Sequence, residues 1–199
     1  MPATIDFYFD FISPYSYLAS VVLPRVAAER SAVIRYRPVG LLDLMQIVGN
    51  RPTTIECRSK GSYAMVDLQR WAKRYQVDFA PSPFWQGIDF AELGRGLLVA
   101  EDEGRAARYV DAVYPAVYGR PIDLSQRAEL VAVLDRAGFD GAELLRRAGA
   151  ADYVARLAQG TAEAAERGVF GSPTMIVDGE MFFGNDRLDF LSEALRSAA

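Results

Sequence analysis

The stretch FDFISPYSYLA, residues 9–19, joins the end of a predicted strand to the start of a predicted helix. Its aromatic residues continue those of TIDFYFDF (4–11), which predict a buried strand. Pro14 suits the first turn of a helix, where its missing N–H costs nothing. Ser13 and Ser16 hold the C-x-x-C spacing that redox-active cysteines occupy at such a junction. The junction therefore has the layout of a thiol site without a thiol of its own.

The composition excludes several classes of chemistry. Among 199 residues there is no histidine and one cysteine, Cys57, which predicts no metal site, no disulfide and no Ser-His-Asp or Cys-His catalysis. Cys57, in a loop, is interpreted as incidental. The net charge of −4, without a basic tract, argues against nucleic acid as a partner. Catalysis must then use hydroxyls, carboxylates, amines, backbone donors or a cofactor.

The chain also lacks the usual targeting signals. The start MPATIDFYFDF has no basic region and carries Asp6 and Asp10, which predicts no signal peptide. No apolar run approaches the roughly 18 residues of a membrane span. We therefore expect a cytoplasmic protein that does not bind a membrane.

The hydrophobic pattern gives an order of secondary-structure elements. Residues 4–37 predict strand–helix–strand, with a parallel pair of strands. No strand is predicted between about 41 and 165. Helices are predicted at 41–49, 60–77, 90–104, 106–120, 125–138, 140–149 and 151–168, with loops at 50–59 and 78–89, a β-hairpin at 174–184 turning at Asp178-Gly179, and a last helix at 186–197 with Asp186 as its N-cap.

This order is that of an α/β, thioredoxin-like fold with an all-helical domain inserted after the second strand. The predicted division is a discontinuous thioredoxin-like domain, residues 1–40 plus 150–199, and a helical insertion, residues 41–149. The aromatic residues Tyr63, Trp71 and Tyr75 of the 60–77 helix are interpreted as core rather than pocket.

Three short motifs are candidates for a site. Ser13 either caps the helix or donates a hydrogen bond to an anion held at the helix start, such as a thiolate brought by a cofactor. Ser172-Pro173 is either a simple turn into a strand or, in a thioredoxin-like fold, a cis-proline edge that pairs with an extended peptide. Gly184-Asn185, before the last helix, is either a capping turn or a second anion site.

These motifs carry a family resemblance. The chain resembles the 2-hydroxychromene-2-carboxylate isomerase family, bacterial relatives of kappa-class glutathione transferases with a DsbA-like fold. The matching stretches lie in order along nearly the whole chain: DFYFDFISPYSYLA (6–19), GN (49–50), VDLQRWA (66–72), ERGVFGSPTM (166–175) and FFGNDRL (182–188).

The resemblance implies a glutathione cofactor, a small aromatic pyruvate as substrate and a homodimer. Ser13 would contact the glutathione sulfur, and Ser172 with Pro173 would pair with the peptide backbone. The residues expected to hold the γ-glutamyl end are Phe183, Gly184, Asn185 and Asp186. The substrate pocket would be lined by Asn50, Phe84 and Trp85, with Arg51 or Lys60 either binding the substrate carboxylate or remaining solvated.

Three other functions remain open at this point. A kappa-like transferase that conjugates glutathione to electrophiles would use the same residues. A non-catalytic, thioredoxin-like peptide-binding module would use the same proline-edged groove. A DsbA-type dithiol oxidoreductase is disfavoured because both positions of the C-x-x-C spacing are serine.

Overall fold

A four-stranded mixed sheet organises the computed structural model, which describes residues 2–197. The strands are β1 (Thr4–Phe9), β2 (Val33–Pro38), β3 (Thr174–Val177) and β4 (Glu180–Phe183), and their order in the sheet is β2-β1-β3-β4. The predicted parallel pairing of β1 with β2 is confirmed, while β3 runs antiparallel to both β1 and β4. The predicted hairpin turn at Asp178-Gly179 is confirmed, with φ of +49° and +88°.

All other regular elements within residues 2–197 are helical. The helices are α1 (Pro14–Glu29), α2 (Leu41–Ile47), α3 (Thr53–Glu56), α4 (Arg58–Tyr75), α5 (Phe90–Asp102), α6 (Ala106–Tyr114), α7 (Arg127–Arg136), α8 (Gly141–Ala148), α9 (Ala151–Glu166) and α10 (Leu188–Ser197), with 3₁₀ turns at Trp85–Gly87 and Asn185–Arg187 and a π turn at Pro115–Gly119. The predicted absence of strands between about 41 and 165 therefore agrees with the described chain. The division into two domains stays a prediction, and its residues 1, 198 and 199 lie outside the described range.

The aromatic residues of the opening stretch form the centre of the core. Phe7 and Phe9 are fully buried and their ring centroids lie 4.7 Å apart. Phe11, just beyond the strand, packs against Tyr114 of α6 at 4.6 Å. Asp6 and Tyr8, on the other face of the sheet, are buried as well. Both faces of β1 are therefore covered, although Thr4 at its start is exposed and Asp6 interrupts its apolar sequence.

Two details of the predicted elements are wrong, and one helix changes form. The predicted 106–120 helix is α-helical to Tyr114 and continues as a π turn over Pro115–Gly119, closed by a 2.7 Å bond from the Arg120 N–H to the Pro115 carbonyl. The 50–59 loop contains the short helix α3. Asp186 does not cap the last helix, because it lies inside the 3₁₀ turn that begins after Gly184, and α10 starts two residues later.

Candidate active site

Ser13 caps helix α1, which leaves the C-terminal end of β1 at the centre of the sheet. Its hydroxyl accepts the backbone N–H of Ser16 at 3.2 Å, and its side chain is only 6% exposed. Pro14 has no N–H, so the amide of Tyr15 is the first-turn donor left for an anion. The partial positive charge of the helix start also favours an anion at this point.

The loop before Ser13 is fixed by buried polar groups. The carboxylate of Asp10 accepts the N–H groups of Ile12, at 3.0 Å, and Leu41, at 2.8 Å. The hydroxyls of Tyr114 and Tyr118 donate to the backbone carbonyls of Asp10 and Ile12, at 2.9 and 2.5 Å. Burial raises the pKa of Asp10 to about 6, although the two N–H groups act to lower it. Four hydrogen bonds therefore fix the conformation of this loop.

Ser172 and Pro173 face this helix start. The pairing of Tyr8 with Thr174 brings the end of β1 beside the start of β3, and the peptide bond between Ser172 and Pro173 is cis. The Ser13 hydroxyl donates to the Ser172 carbonyl at 3.3 Å, and the hydroxyls of Ser16 and Ser172 lie 3.2 Å apart. The two motifs that the sequence singled out separately thus form one cluster.

The Gly184-Asn185 turn lies next to this cluster. The Gly184 N–H donates to the Pro173 carbonyl at 2.9 Å. Gly184 has φ of +107°, and a Cβ there would lie 2.4 Å from Asp186 Oδ1, so the turn requires glycine. The side chain of Asn185 is 3% exposed, and its Nδ2 has no hydrogen-bond partner among the described residues. A buried donor without a partner is costly, and a bound ligand would satisfy it.

Phe183 and Asp186, near the two ends of this turn, make different contacts. Phe183 is 43% exposed and its ring lies 4.6 Å from that of Phe170, beside the Ser172 loop. Gly171 is close enough that a Cβ there would lie 2.8 Å from the Phe183 ring. The exposed carboxylate of Asp186 pairs with Arg187 at 2.9 Å. Phe183 and Asp186 therefore flank Asn185 at the surface.

Asn50 reaches the same loop from the end of helix α2. Its Nδ2 donates to the Phe170 carbonyl at 2.8 Å, and its Oδ1 accepts the N–H of Arg51 at 2.8 Å. Arg51 itself is paired with Glu56 at 2.9 Å. Asn50 is thus joined to the Ser172 loop, whereas the charge of Arg51 is already neutralised.

Phe84 and Trp85 belong to the 78–89 loop, which contacts Tyr118. The Ala80 N–H of this loop donates to the Tyr118 carbonyl at 2.6 Å, and the Tyr118 hydroxyl donates to the Ile12 carbonyl. Phe84 is 37% exposed and lies at the turn before Trp85. The structure therefore connects this loop to the helix start through Tyr118.

A cavity of about 340 Å³ opens beside Tyr15, two residues from Ser13, and is lined by Tyr15, Thr54, Ser59, Lys60, Tyr63 and Ala64. Tyr63 is 62% exposed, so its assignment to the core is wrong, whereas Trp71 and Tyr75 pack against the core as predicted. The Tyr15 hydroxyl donates to Asp67 at 3.1 Å. Burial and the Asp67 carboxylate raise the pKa of Tyr15 well above its usual value, so Tyr15 is a neutral phenol.

Sequence reasoning missed the tyrosines that hold these motifs. Tyr118 holds the Ser13 loop, and Tyr75 donates to the Asn185 carbonyl at 2.6 Å. A tyrosine that bonds a distant backbone carbonyl leaves no local pattern in the sequence. The assembled site offers hydroxyl, backbone and amide donors and no strong base, which suits the binding of an anion.

Comparisons with known proteins agree with this architecture. A family model described as a DSBA-like thioredoxin domain matches residues 4–196. A 2-hydroxychromene-2-carboxylate isomerase from Sphingobium xenophagum is 39% identical over 200 residues, which cover 98% of this chain and 99% of that protein. The chain belongs to the 2-hydroxychromene-2-carboxylate isomerase family. Membership of this family makes it an enzyme and confirms the predicted DsbA-like thioredoxin fold.

Two further comparisons show how this family member relates to others. A solved structure of 2-hydroxychromene-2-carboxylate isomerase superposes with a TM-score of 0.89 at 33% identity, over 98% of this chain and 95% of that one. A glutathione S-transferase kappa 1 from Caenorhabditis elegans is 29% identical, over 96% of this chain and 90% of that protein. No helix within residues 2–197 has the length and apolar character needed to cross a membrane.

Proposed function

We propose that the protein is a glutathione-dependent isomerase. It interconverts 2-hydroxychromene-2-carboxylate and aromatic pyruvates of the trans-o-hydroxybenzylidenepyruvate type, in bacterial degradation of aromatic compounds. The observation that carries the proposal is the Ser13 hydroxyl at the start of α1, bonded to the Ser172 carbonyl at 3.3 Å. The relatives named as isomerases support the substrate, and the kappa transferases support the cofactor.

The residues present fit a tripeptide that carries a thiol. Asn185 Nδ2 is a buried donor that lacks a partner among the described residues, and it suits a carboxylate or carbonyl of the γ-glutamyl end. Phe183, Gly184 and Asp186 complete that end of the site. Glutathione, when bound, would supply a thiolate as the nucleophile for the substrate double bond, and Ser13 would donate a hydrogen bond to its sulfur.

Ser13 would act by exchanging its hydrogen-bond acceptor. Its bond to the Ser172 carbonyl, at 3.3 Å, is long for an O–H···O bond, so it is readily replaced. The hydroxyl then donates to the anionic sulfur, and the freed carbonyl of Ser172 accepts an N–H of the peptide. A free thiol has a pKa of about 8.5, and a hydroxyl donor at a helix start lowers such a pKa by about one unit or more. Ser13 keeps its own proton throughout.

The substrate would lie between Asn50 and the Phe84-Trp85 loop. Phe84 and Trp85 supply apolar surface for an aromatic ring. Asn50 uses one amide hydrogen to hold the Phe170 carbonyl, so its second amide hydrogen can donate to the substrate.

The proposal is tested by mixing the purified full chain with trans-o-hydroxybenzylidenepyruvate and a smaller molar amount of glutathione than of substrate. Conversion of the whole substrate pool to its equilibrium mixture with the chromene form is expected, with glutathione recovered unchanged. If each turnover consumes one glutathione and mass spectrometry finds a thioether, the protein is a conjugating transferase instead. Peptide binding without turnover would identify the non-catalytic module.

The cytoplasmic location and the homodimer remain predictions that accompany this function. Fractionation of the host cell and light scattering during size-exclusion chromatography test them separately. Neither result changes the assignment of the residues around Ser13.

A further inference from the structure

We infer that Tyr75 is a positioning residue for the cofactor: it holds the Asn185 turn so that the Asn185 amide meets the γ-glutamyl end of glutathione. The inference rests on the proposed function, because it deepens the account of the same site. Tyr75 belongs to helix α4, in the middle of the chain, whereas the turn that it holds lies near the C-terminal end.

The contact itself is specific. Tyr75 is the last residue of α4, and its hydroxyl donates to the backbone carbonyl of Asn185 at 2.6 Å, across 110 residues of sequence. Burial raises the pKa of Tyr75, so the phenol keeps the proton that it donates. The ring of Tyr75 also packs against Trp71 at 5.2 Å, which limits its rotation.

Asn185 depends on this support because its side-chain Nδ2 has no hydrogen-bond partner among the described residues. The protein therefore does not fix the direction of the amide through that atom. The turn is held at its start by the bond from the Gly184 N–H to the Pro173 carbonyl. The Tyr75 bond fixes the next peptide unit. Together the two bonds set the position from which the amide donates.

Helix α4 holds the other half of the site as well. Asp67 lies eight residues before Tyr75, close to two helical turns, so both side chains lie on the same face of α4. The Asp67 carboxylate accepts the hydroxyl of Tyr15, which lies in the first turn of α1 next to Ser13. Helix α4 therefore bonds both Tyr15, two residues from Ser13, and the Asn185 turn, through residues that lie about 12 Å apart along its axis.

The test compares Tyr75→Phe with the matched control Tyr153→Phe. Tyr153 also donates a hydroxyl hydrogen bond, to Asp102 at 2.8 Å, and its contacts lie among helices α5, α8 and α9. Glutathione affinity is measured by calorimetry, kcat and KM by the isomerisation assay, and Tm by thermal unfolding. We expect Tyr75→Phe to raise Kd and KM for glutathione about fivefold, the value of one neutral hydrogen bond, with kcat at saturating glutathione within about twofold of wild type. Tyr153→Phe is expected to change Tm without changing Kd or KM.

A second comparison separates positioning from a general loss of stability. If Tyr75 acts through Asn185, Tyr75→Phe in an Asn185→Ala background will change Kd by less than about twofold, because no amide remains to be positioned. Equal effects in both backgrounds, or a wild-type Kd for Tyr75→Phe, would overturn the inference while leaving the proposed function intact. A wild-type protein that does not bind glutathione would overturn both.

Discussion

The Ser13 hydroxyl lies 3.3 Å from the Ser172 carbonyl oxygen, although 159 residues separate the two serines. The contact exists because β1 and β3 are neighbours at the centre of the sheet, so the loop after β1 meets the loop before β3. The start of α1 and the cis-proline loop before β3 are thereby joined around one hydroxyl group.

Ser13→Ala is expected to lower kcat/KM of the isomerisation about tenfold or more, because the donor that lowers the pKa of the glutathione thiol is lost. It will also cost about 1 kcal/mol of stability, since Ser13 caps α1. Asp140→Ala is the matched control, because Asp140 caps α8 by accepting the Glu143 N–H at 3.0 Å. It should lose similar stability and keep its activity. Full turnover by Ser13→Ala would refute the role of this hydroxyl.

Asn185→Ala is expected to weaken glutathione binding about tenfold, because a hydrogen bond to a charged group is lost. Its free energy of unfolding should fall by less than about 1 kcal/mol, since Nδ2 bonds no described residue and its removal relieves an unsatisfied donor. Calorimetry and chemical denaturation measure the two quantities. An unchanged affinity combined with a large loss of stability would show that Asn185 is structural.

Asp6 is expected to make the protein sensitive to acid. Burial acts to raise its pKa, but hydrogen bonds from Arg35, Arg167 and Arg37 lower it to about 2, below the usual value of 3.8. The ionised form is therefore favoured by folding, and the stabilisation is present above pH 4 and lost as the pH falls through 2. After allowance for solvent around the half-exposed arginines, the loss is about 1–2 kcal/mol.

Thermal unfolding of wild type and Asp6→Asn between pH 2 and 7 measures this effect. The variant should be less stable at pH 7 and show a shallower decline on acidification. Asp102→Asn serves as the control, because Asp102 forms its ion pair with Arg156 nearer the surface. If the stability of wild type and of Asp6→Asn falls equally on acidification, the prediction is contradicted.

Asp10 is expected to make the protein less stable as the pH rises, which is opposite to the effect of Asp6. Burial raises its pKa to about 6 in the folded protein, above the value of 3.8 expected when unfolded. The protonated form is favoured by folding, so the stabilisation is complete below pH 4 and is lost as the pH rises through 6, by about 2–3 kcal/mol. Asp10→Asn should remove this decline between pH 4 and 7. Parallel stability profiles of the two proteins in that range would argue against the assignment.

The sequence predicted the local structure of these motifs where its signals are local. Ser13 before Pro14, Ser172 before Pro173 and the turn at Gly184 each carry a steric or capping requirement that a short window of sequence reveals. The fold was predicted from the sequence for the same reason, since the order of strands and helices depends on short-range periodicity.

The errors and omissions have a common physical cause. Asp186 fits the pattern of a cap, but the glycine before it adopts φ of +107° and begins a 3₁₀ turn instead. Tyr75 and Tyr118 bond carbonyls more than 100 residues away, and only the packing of distant helices creates those contacts. Tyr63 lies on an amphipathic helix, but its face opens onto a cavity rather than the core.

The position of β3 beside β1 has a consequence for the order of synthesis. A ribosome releases the N-terminal half of the chain first, and that half contains Ser13 but not the strand beside which Ser13 works. The binding surface can close only when the last few dozen residues have emerged. Under the proposed function, a chain truncated before β3 is therefore expected not to retain glutathione.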